Sequence, residues 1–171
     1  MYLVSPGSAI PDTSSMTSSA AIATEGRLIL ADALTFAERF KPAAVIDIAT
    51  LTGAMITTLG SEASGLMGNN ESLAQELLTA GMLSGDRAWE LPLWEEYDPL
   101  LKSAFADIAN IGNEQAKSIA GGCFLKHFAT KYPWVHLDVA GVAYKGSPLI
   151  ERSATGRPIS LIMHYLLNKK N

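Results

Sequence analysis

The sequence predicts an α/β fold, and three features carry the prediction. Residues 28–40 are mostly apolar over the length of a helix, and Pro42 ends that segment. An apolar run at residues 43–49, interrupted only by Asp47, has the length of a strand covered on both faces. A second such run follows at residues 134–140. A helix followed at once by a buried strand is half of a βαβ unit, so the two strands are expected to be parallel.

Composition indicates one domain in a reducing compartment. The chain has 171 residues, with 13 basic and 17 acidic side chains and a net charge of −4, which argues against nucleic acid or an anionic membrane as the main partner. Cys123 is the only cysteine, so no internal disulfide is possible. No apolar run approaches the ~20 residues of a membrane span, and residues 1–7 lack a signal-peptide pattern. We therefore expect a cytoplasmic protein.

The amino-terminal part of the chain differs in composition from the rest. Residues 1–24 are rich in Ser, Thr and Ala, and they predict an irregular leader. Thr24 is expected to cap the first helix, with Glu25 in the first turn, where the helix dipole favours an anion. The polar residues of that helix, Asp32, Thr35 and Arg39, form one narrow stripe, so the helix is expected to be buried on most sides.

The later elements are predicted from apolar spacing and breakers. Residues 72–83 predict an amphipathic helix that ends at Gly85, and residues 89–94 predict an extended aromatic connection. A short helix at 95–104, a loop at 106–122, a helix at 123–131 and a last helix opened by Pro158 complete the chain. Two clear strands cannot cover so many helices. Either further strands lie in residues 1–20 and 60–70, or the sheet is incomplete and a partner chain supplies the rest.

The two predicted strands also resemble each other in sequence. Asp47-Ile48-Ala49 matches Asp138-Val139-Ala140, which indicates parallel strands in similar register with adjacent carboxyl ends. In open α/β sheets that edge binds ligands, and Thr50-Leu51-Thr52-Gly53 follows the first strand there.

Several motifs together resemble the leucyl (cytosol) aminopeptidases, in order over residues 25–168. They are Glu25-Gly26-Arg27-Leu28-Ile29-Leu30-Ala31-Asp32-Ala33-Leu34, Val45-Ile46-Asp47-Ile48-Ala49-Thr50-Leu51-Thr52-Gly53-Ala54, Arg87-Ala88-Trp89, Leu91-Pro92-Leu93-Trp94, Ala106-Asp107-Ile108-Ala109-Asn110-Ile111-Gly112, His136-Leu137-Asp138-Val139-Ala140-Gly141 and Ala154-Thr155-Gly156-Arg157-Pro158. The resemblance implies that residues 25–171 are a portion of the carboxyl-terminal catalytic domain. It implies a three-layer α/β fold, a mixed and mostly parallel sheet with helices on both faces, and a hexamer.

The implied reaction is removal of an amino-terminal residue, often leucine, from a peptide. Two divalent metals, zinc or manganese, would polarise the scissile carbonyl and generate the attacking hydroxide. By resemblance, Glu25 is a metal ligand and Arg27 is a catalytic residue that holds bicarbonate. The resemblance also implies a set of residues that line the substrate site, with the Leu51 carbonyl facing the substrate amine: Thr50, Leu51, Gly53, Ile111, Ala140 and Ala143.

The sequence departs from the family at the other metal ligands. The family pattern N-T-D-A-E-G-R-L is replaced by Ala21-Ile22-Ala23-Thr24-Glu25-Gly26-Arg27-Leu28, so Ala23 stands where the family has a ligating Asp. The family also has a Lys–Asp ligand segment and another Asp farther upstream. Residues 1–24 contain one Asp, Asp12, and no Lys. A lone Glu binds a divalent metal weakly, since such sites use about four to six donors.

Two carboxylates in the apolar strands leave two interpretations. Asp47 and Asp138 either form a residual metal site with Glu25 or make structural hydrogen bonds, as buried carboxylates must. The family does not use these positions as ligands. His127, His136 and His164 have no ligand spacing, so we expect them to be ordinary structural residues.

The sequence thus predicts a two-metal aminopeptidase domain that is inactive as this chain alone. The alternative is a non-catalytic structural or oligomer-forming remnant of the same fold. A peptide substrate, and either further copies of the chain or a missing complementary segment, are the expected partners.

Overall fold

The computed structural model describes residues 19–104, 106–110, 115–145 and 153–169, with side chains from Glu25 onward. The helices, in chain order, are α1 (Ser19–Ala37), α2 (Ala54–Leu59), α3 (Glu71–Ser84), α4 (Lys117–Lys126) and α5 (Ile159–Asn168). The strands are β1 (Val45–Ala49), β2 (Ser64–Gly68), β3 (Ala88–Glu90), β4 (Trp134–Asp138), β5 (Tyr144–Lys145) and β6 (Ser153–Ala154). Short 3-10 helices at Glu38–Phe40 and Glu95–Leu101 connect them.

The main sheet is mixed and mostly parallel, as the sequence analysis predicts. Its strand order is β1-β4-β2-β3. The β1–β4 and β2–β3 pairs are parallel, whereas β2 and β4 are antiparallel. Strands β5 and β6 form a separate antiparallel pair.

Helices cover the sheet on both faces, which makes the fold three-layered. On one face, α1 and α4 share a core with Val45 and Trp134. On the other face, α3 and α5 share a core with Leu66, Val135 and Leu137. Adjacent residues of one strand enter opposite cores because side chains alternate along a strand. Trp134, Val135 and Leu137 are fully buried, so β4 is the centre of both cores.

Two polar residues fasten the ends of this sheet. The Asn69 amide donates to the carbonyls of Ala129 (2.6 Å) and Tyr132 (3.0 Å), and its oxygen accepts from the Trp134 amide (2.7 Å). Asn69 thereby links the end of β2 to the start of β4. At the opposite end, Arg157 donates to the buried Asp86 carboxylate (2.6 Å) and to the Arg87 carbonyl (3.0 Å), which holds the start of α5 against β3.

Several predicted boundaries differ from the structure. Helix α1 begins at Ser19 instead of Thr24, so Glu25 lies inside the helix. The division of the chain at residue 24 stays a prediction. A strand lies within residues 60–70, one of the two alternatives left open by the sequence, and β3 lies in the predicted aromatic connection. Helix α4 begins at Lys117, within the predicted loop, and ends at Lys126.

Within the described ranges, no helix is long and apolar enough to span a membrane.

Two glycines in helices offer a matched test of the packing between α3 and β3. A Cβ on Gly81 would lie 2.9 Å from the Asp86 carbonyl and 3.3 Å from the Ala88 nitrogen, whereas a Cβ on Gly26 would have no neighbour within 4 Å. We expect Gly81→Ala to lower the free energy of unfolding by about 1–2 kcal/mol, because the clash exceeds the gain in helix propensity. Gly26→Ala should raise it by up to ~1 kcal/mol. Urea denaturation measures both, and equal effects would contradict the close packing.

Candidate active site

The predicted site lies where β1 and β4 end side by side. The two strands are parallel, as expected, with Asp47 opposite His136 and Ala49 opposite Asp138. The two aspartates of the repeated motif therefore lie on the same face of the sheet, but Asp138 is two residues farther along β4 than the residue opposite Asp47. The segment Thr50-Leu51-Thr52-Gly53 continues from β1 at this edge and leads into α2. The edge is the place where an α/β sheet offers backbone groups to a ligand.

A single carboxylate holds the segment after β1 in place. Asp138 is fully buried at the end of β4. Its Oδ1 accepts from the backbone amides of Leu51 (3.2 Å) and Ala140 (3.1 Å), and its Oδ2 accepts from the amide (3.1 Å) and hydroxyl (2.9 Å) of Thr52. Burial raises the pKa of Asp138, although nearby His136 and these donors act in the opposite direction. Asp138 thus has the structural hydrogen-bonding role that was one of its two interpretations.

Helix α4 supports this segment from the side of α1. The Ser118 hydroxyl lies 3.0 Å from the Thr52 hydroxyl. Gly121 brings the helix close, since a Cβ there would lie 3.0 Å from Thr52 Cγ2 and 3.2 Å from Leu51 Cδ2. The position of the Thr50–Gly53 segment therefore depends on β4 and α4 together.

Arg27 is a buried cation in this region. Only 8% of the residue is exposed, and its Nη1 donates to the Asn110 carbonyl. The same Cβ on Gly121 would lie 3.6 Å from Arg27 Nη2, which places the guanidinium beside α4. Burial lowers the pKa of Arg27, and the charge of Asp138 partly offsets that effect. Among the described residues the buried Nε atom of Arg27 has no hydrogen-bond partner.

The second aspartate, Asp47, forms a buried cluster with two residues of β4. Its Oδ1 lies 2.5 Å from His136 Nδ1, and its Oδ2 accepts from Trp134 Nε1 (2.6 Å). His136 is fully buried, and burial by itself lowers its pKa. The adjacent Asp47 carboxylate outweighs that effect, so the pKa of His136 is raised above its ordinary value. Asp47 is therefore also a structural residue.

The described residues do not fit the two metals that the family resemblance implies. The Glu25 side chain is exposed on α1. In the part of the chain that the structure describes, no three His, Cys, Asp or Glu side chains come together to hold a metal ion. The nearby carboxylates of Asp47 and Asp138 are occupied by hydrogen bonds to the fold. The residual site formed by Glu25, Asp47 and Asp138, the other interpretation, is therefore not present among these residues.

The predicted substrate-site residues occupy different environments. Leu51 and Ala140 are buried, and Ala140 packs with Met55 and Met67. Thr50 and Gly53 are exposed at the sheet edge, and Ala143 is half-buried. Ile111 lies outside the described residues. Arg27 and Leu51 are brought together beside Gly121, whereas the role of each residue in binding a substrate stays a prediction.

Sequence reasoning missed Ser118 and Gly121 as parts of this site. Both lie in residues that were predicted to be a loop. The sequence signal for Gly121 is the pair Gly121-Gly122. The two glycines do not break the helix and instead let it approach its neighbours closely, since a Cβ on Gly122 would lie 2.5 Å from Met67 Sδ. Small residues in a helix are thus a packing signal here.

Comparison with known proteins gives consistent matches. A sequence profile for the cytosol aminopeptidase family, catalytic domain, matches residues 18–163. The cytosol aminopeptidase of Pseudomonas aeruginosa is 60% identical over 145 residues, which are 85% of this chain and 29% of that protein. A probable cytosol aminopeptidase of Thioalkalivibrio sulfidiphilus has the same identity and coverage, and one of Stutzerimonas stutzeri is 57% identical over 147 residues. The chain thus spans 29% of the length of these curated relatives.

The first prediction for this site concerns the Asp138 hydrogen bonds. Asp138→Asn replaces one of two oxygens with an NH2 group, and each of those oxygens accepts from two donors, so we expect the free energy of unfolding to fall by about 2–4 kcal/mol. The exposed Asp32→Asn is the matched control and should change it by less than about 0.5 kcal/mol. Chemical denaturation at neutral pH measures both. If Asp138→Asn lowers the free energy of unfolding no more than the control does, the stabilising role of the Asp138 hydrogen bonds is contradicted.

The second prediction concerns the pH dependence of stability. Because the folded-state pKa of His136 is raised, its contribution to stability is complete below the unfolded pKa and is lost as pH rises through the folded pKa. Asp138 raises this pKa further and Arg27 lowers it.

Denaturation at a series of pH values from about 6 to about 9 should therefore show falling stability, and Asp47→Asn should flatten the slope. His127→Gln, which replaces an exposed histidine, should leave the slope unchanged. An unchanged slope in Asp47→Asn would contradict the assignment of this pH dependence to the Asp47–His136 pair.

Proposed function

Because the chain belongs to the cytosol aminopeptidase family, we propose that it carries part of the peptide-binding framework of a two-metal aminopeptidase and does not hydrolyse peptides by itself. The matched relatives are named cytosol aminopeptidases, and this chain spans 29% of their length. The family resemblance implies that the substrate is a peptide with a free amino terminus, whose first residue is often leucine. The relatives' printed names also support a cytoplasmic location.

The observation that carries the proposal is the set of available donor atoms. Of the family's metal ligands, the described residues retain Glu25, and Ala23 has no side-chain donor. Asp47 and Asp138 hold the fold together and cannot leave those bonds without cost, because a buried donor left unpaired costs about 1–3 kcal/mol. Zinc or manganese ions, which would activate water and the scissile carbonyl in a complete site, therefore need further ligands.

The framework that remains has defined tasks in the proposed function. Asp138, through the amides of Leu51 and Thr52, holds the backbone of the segment after β1 at the sheet edge, where it can meet a peptide. Thr50 and Gly53 are exposed there, and we assign them to contact with the substrate backbone. Arg27 supplies positive charge in a largely dehydrated environment, which favours an anion such as bicarbonate.

A second candidate function belongs to another class. The chain could serve as a non-catalytic subunit, in a homo-oligomer such as a hexamer, that keeps the fold and its assembly surfaces. The observation in favour is the number of exposed apolar side chains on the helices, such as Ile29, Phe36 and Leu167. Neither function includes peptide hydrolysis by this chain alone, and the two differ in whether the segment Thr50-Leu51-Thr52-Gly53 contacts a peptide.

Metal binding tests whether this chain can catalyse the reaction by itself. Calorimetric titration of the metal-stripped chain with Zn²⁺ and with Mn²⁺ should give no binding tighter than about micromolar, because one carboxylate plus water is a weak site. Glu25→Ala should behave like the wild-type chain, and neither protein should hydrolyse leucine amide. If the wild-type chain binds two equivalents of metal tightly and Glu25→Ala does not, the proposal is contradicted. Catalysis by this chain alone would then be the better explanation.

A further inference from the structure

We propose that Met55 and Met67, called here the methionine pair, determine the size of the first side chain that the site accepts from a peptide. The inference rests on the proposed function, in which Thr50 and Gly53 contact the peptide backbone. It adds the residues that select among apolar first side chains, such as those of leucine and phenylalanine. Because the pair acts through the residues that cover it, we assign it a positioning role.

The methionine pair belongs to a small apolar cluster that is separate from the two main cores. The third buried member is Ala140, and partly buried leucines pack around the three: Leu59, Leu91 and Leu93. Both methionines are fully buried, whereas Ala140 is 6% exposed. At the sheet edge, the cluster therefore reaches solvent through a residue with a single methyl group, and the methionines lie close behind it.

Backbone hydrogen bonds join this cluster to the segment after β1. The Met55 amide donates to the Thr52 carbonyl (3.1 Å), which starts α2 directly on that segment. The Ala140 amide donates to Asp138 Oδ1 (3.1 Å), the same oxygen that accepts from the Leu51 amide. The segment and the cluster thus share one framework. A peptide backbone on the exposed part of the segment has the cluster as an adjacent apolar surface.

The other neighbours of the segment include several buried polar groups. The Thr52 hydroxyl lies between the Ser118 hydroxyl (3.0 Å) and Asp138 Oδ2 (2.9 Å). The Arg27 guanidinium lies beside Gly121 on the same helix as Ser118. An apolar side chain inserted there would separate polar groups from their partners, which is costly in a buried environment. An apolar first side chain is therefore better accommodated on the side of the methionine pair.

Two glycines make the room for the side chains of the methionine pair. A Cβ on Gly65 would lie 2.6 Å from Met55 Sδ, and a Cβ on Gly122 would lie 2.5 Å from Met67 Sδ. Each thioether thus fills space that a side chain of β2 or α4 would otherwise occupy. Methionine is unbranched and has three rotatable side-chain bonds, so it adapts its shape to a neighbour. A site backed by two methionines can therefore accept apolar side chains of different sizes, and a branched residue in their place would restrict it.

The test is an NMR titration of the full chain, labelled with ¹³C in the methionine methyl groups and with ¹⁵N in the backbone. Leucine amide and glycine amide are the two ligands, because they share a backbone and differ only in the side chain. We expect leucine amide to shift the methyl signals of the methionine pair and the backbone amide signals of Thr50 and Gly53. Glycine amide should shift the two backbone signals alone. The methyl groups of the exposed Met82 and Met163 are internal controls and should not shift.

Substitutions then test whether the pair selects the side chain. Met55→Ala creates space, so we expect the affinity for phenylalanine amide relative to leucine amide to rise about tenfold. Met55→Leu and Met67→Leu nearly keep the volume but introduce a branched side chain, so the same ratio should fall by about threefold or more. Met82→Ala and Met82→Leu make the same changes on the exposed surface of α3 and should leave the ratio unchanged. Thermal unfolding verifies that each variant folds, and the two Met→Leu variants decide the test if Met55→Ala does not.

Two results would overturn the inference and leave the proposed function intact. The first is a shift at Thr50 and Gly53 without any shift at the methionine pair, and the second is an unchanged affinity ratio in the folded Met→Leu variants. Equal methyl shifts at Met82 and Met163 would indicate nonspecific apolar binding and would also overturn it. If leucine amide shifts neither Thr50 nor Gly53, the peptide contact in the proposed function fails, and this inference fails with it.

Discussion

The buried carboxylate of Asp138 is the constraint on which the rest of the candidate site depends. It lies at the carboxyl end of the central strand β4, where burial alone disfavours its charge. Four donors, two of them on Thr52, converge on its two oxygens. The carboxylate and the segment after β1 therefore require each other: the segment satisfies the buried oxygens, and the oxygens fix the path of the segment. Ser118 and Gly121 of α4 complete the support from the helix layer.

A buried polar layer extends from this point along the same face of the sheet. Asp47 and His136 pair between β1 and β4, and Arg27 of α1 lies close enough to affect the pKa of His136. Opposite charges in a weakly polar interior stabilise one another only when their hydrogen bonds are also satisfied. Asp47 meets that condition through Trp134 and His136. The two aspartates that the sequence offered as metal ligands instead hold β1, β4 and the segment after β1 in place.

The sequence predicts the long elements well because their apolar spacing is strong. Helix α3 and strand β4 lie close to their expected positions, and the parallel pairing of β1 with β4 follows from the helix-to-strand order. The short strand β3 has three residues and two exposed side chains, so no alternation marks it. Helix α4 contains two adjacent glycines that indicate a loop when read locally. Their reason is tertiary, since side chains there would collide with Leu51 and Met67.

The residues of the candidate site also fall into two groups, those that the sequence predicts and those that only the structure reveals. Motif residues such as Arg27, Leu51 and Asp138 are predicted from sequence, and the structure brings them to one sheet edge. Ser118 carries no sequence signal, because its contact with Thr52 crosses 66 residues of chain. The hydrogen bonds of Asp47 likewise depend on the register between β1 and β4. A shift of one residue would turn Asp47 to the other face of the sheet and break them. Sequence shows which residues are available, and the packing of the strands decides which of them remain free.

In the proposed function, this chain holds the framework of an aminopeptidase site without a complete metal centre. The most direct measurement is anomalous X-ray diffraction from crystals of the chain grown with excess Mn²⁺. We expect that Asp138 still binds the amides of Leu51 and Thr52, with no metal peak at coordinating distance from Glu25, which for a carboxylate oxygen is about 2.0–2.6 Å. Two fully occupied manganese peaks coordinated by Glu25, with Asp47 or Asp138 turned toward them, would contradict it.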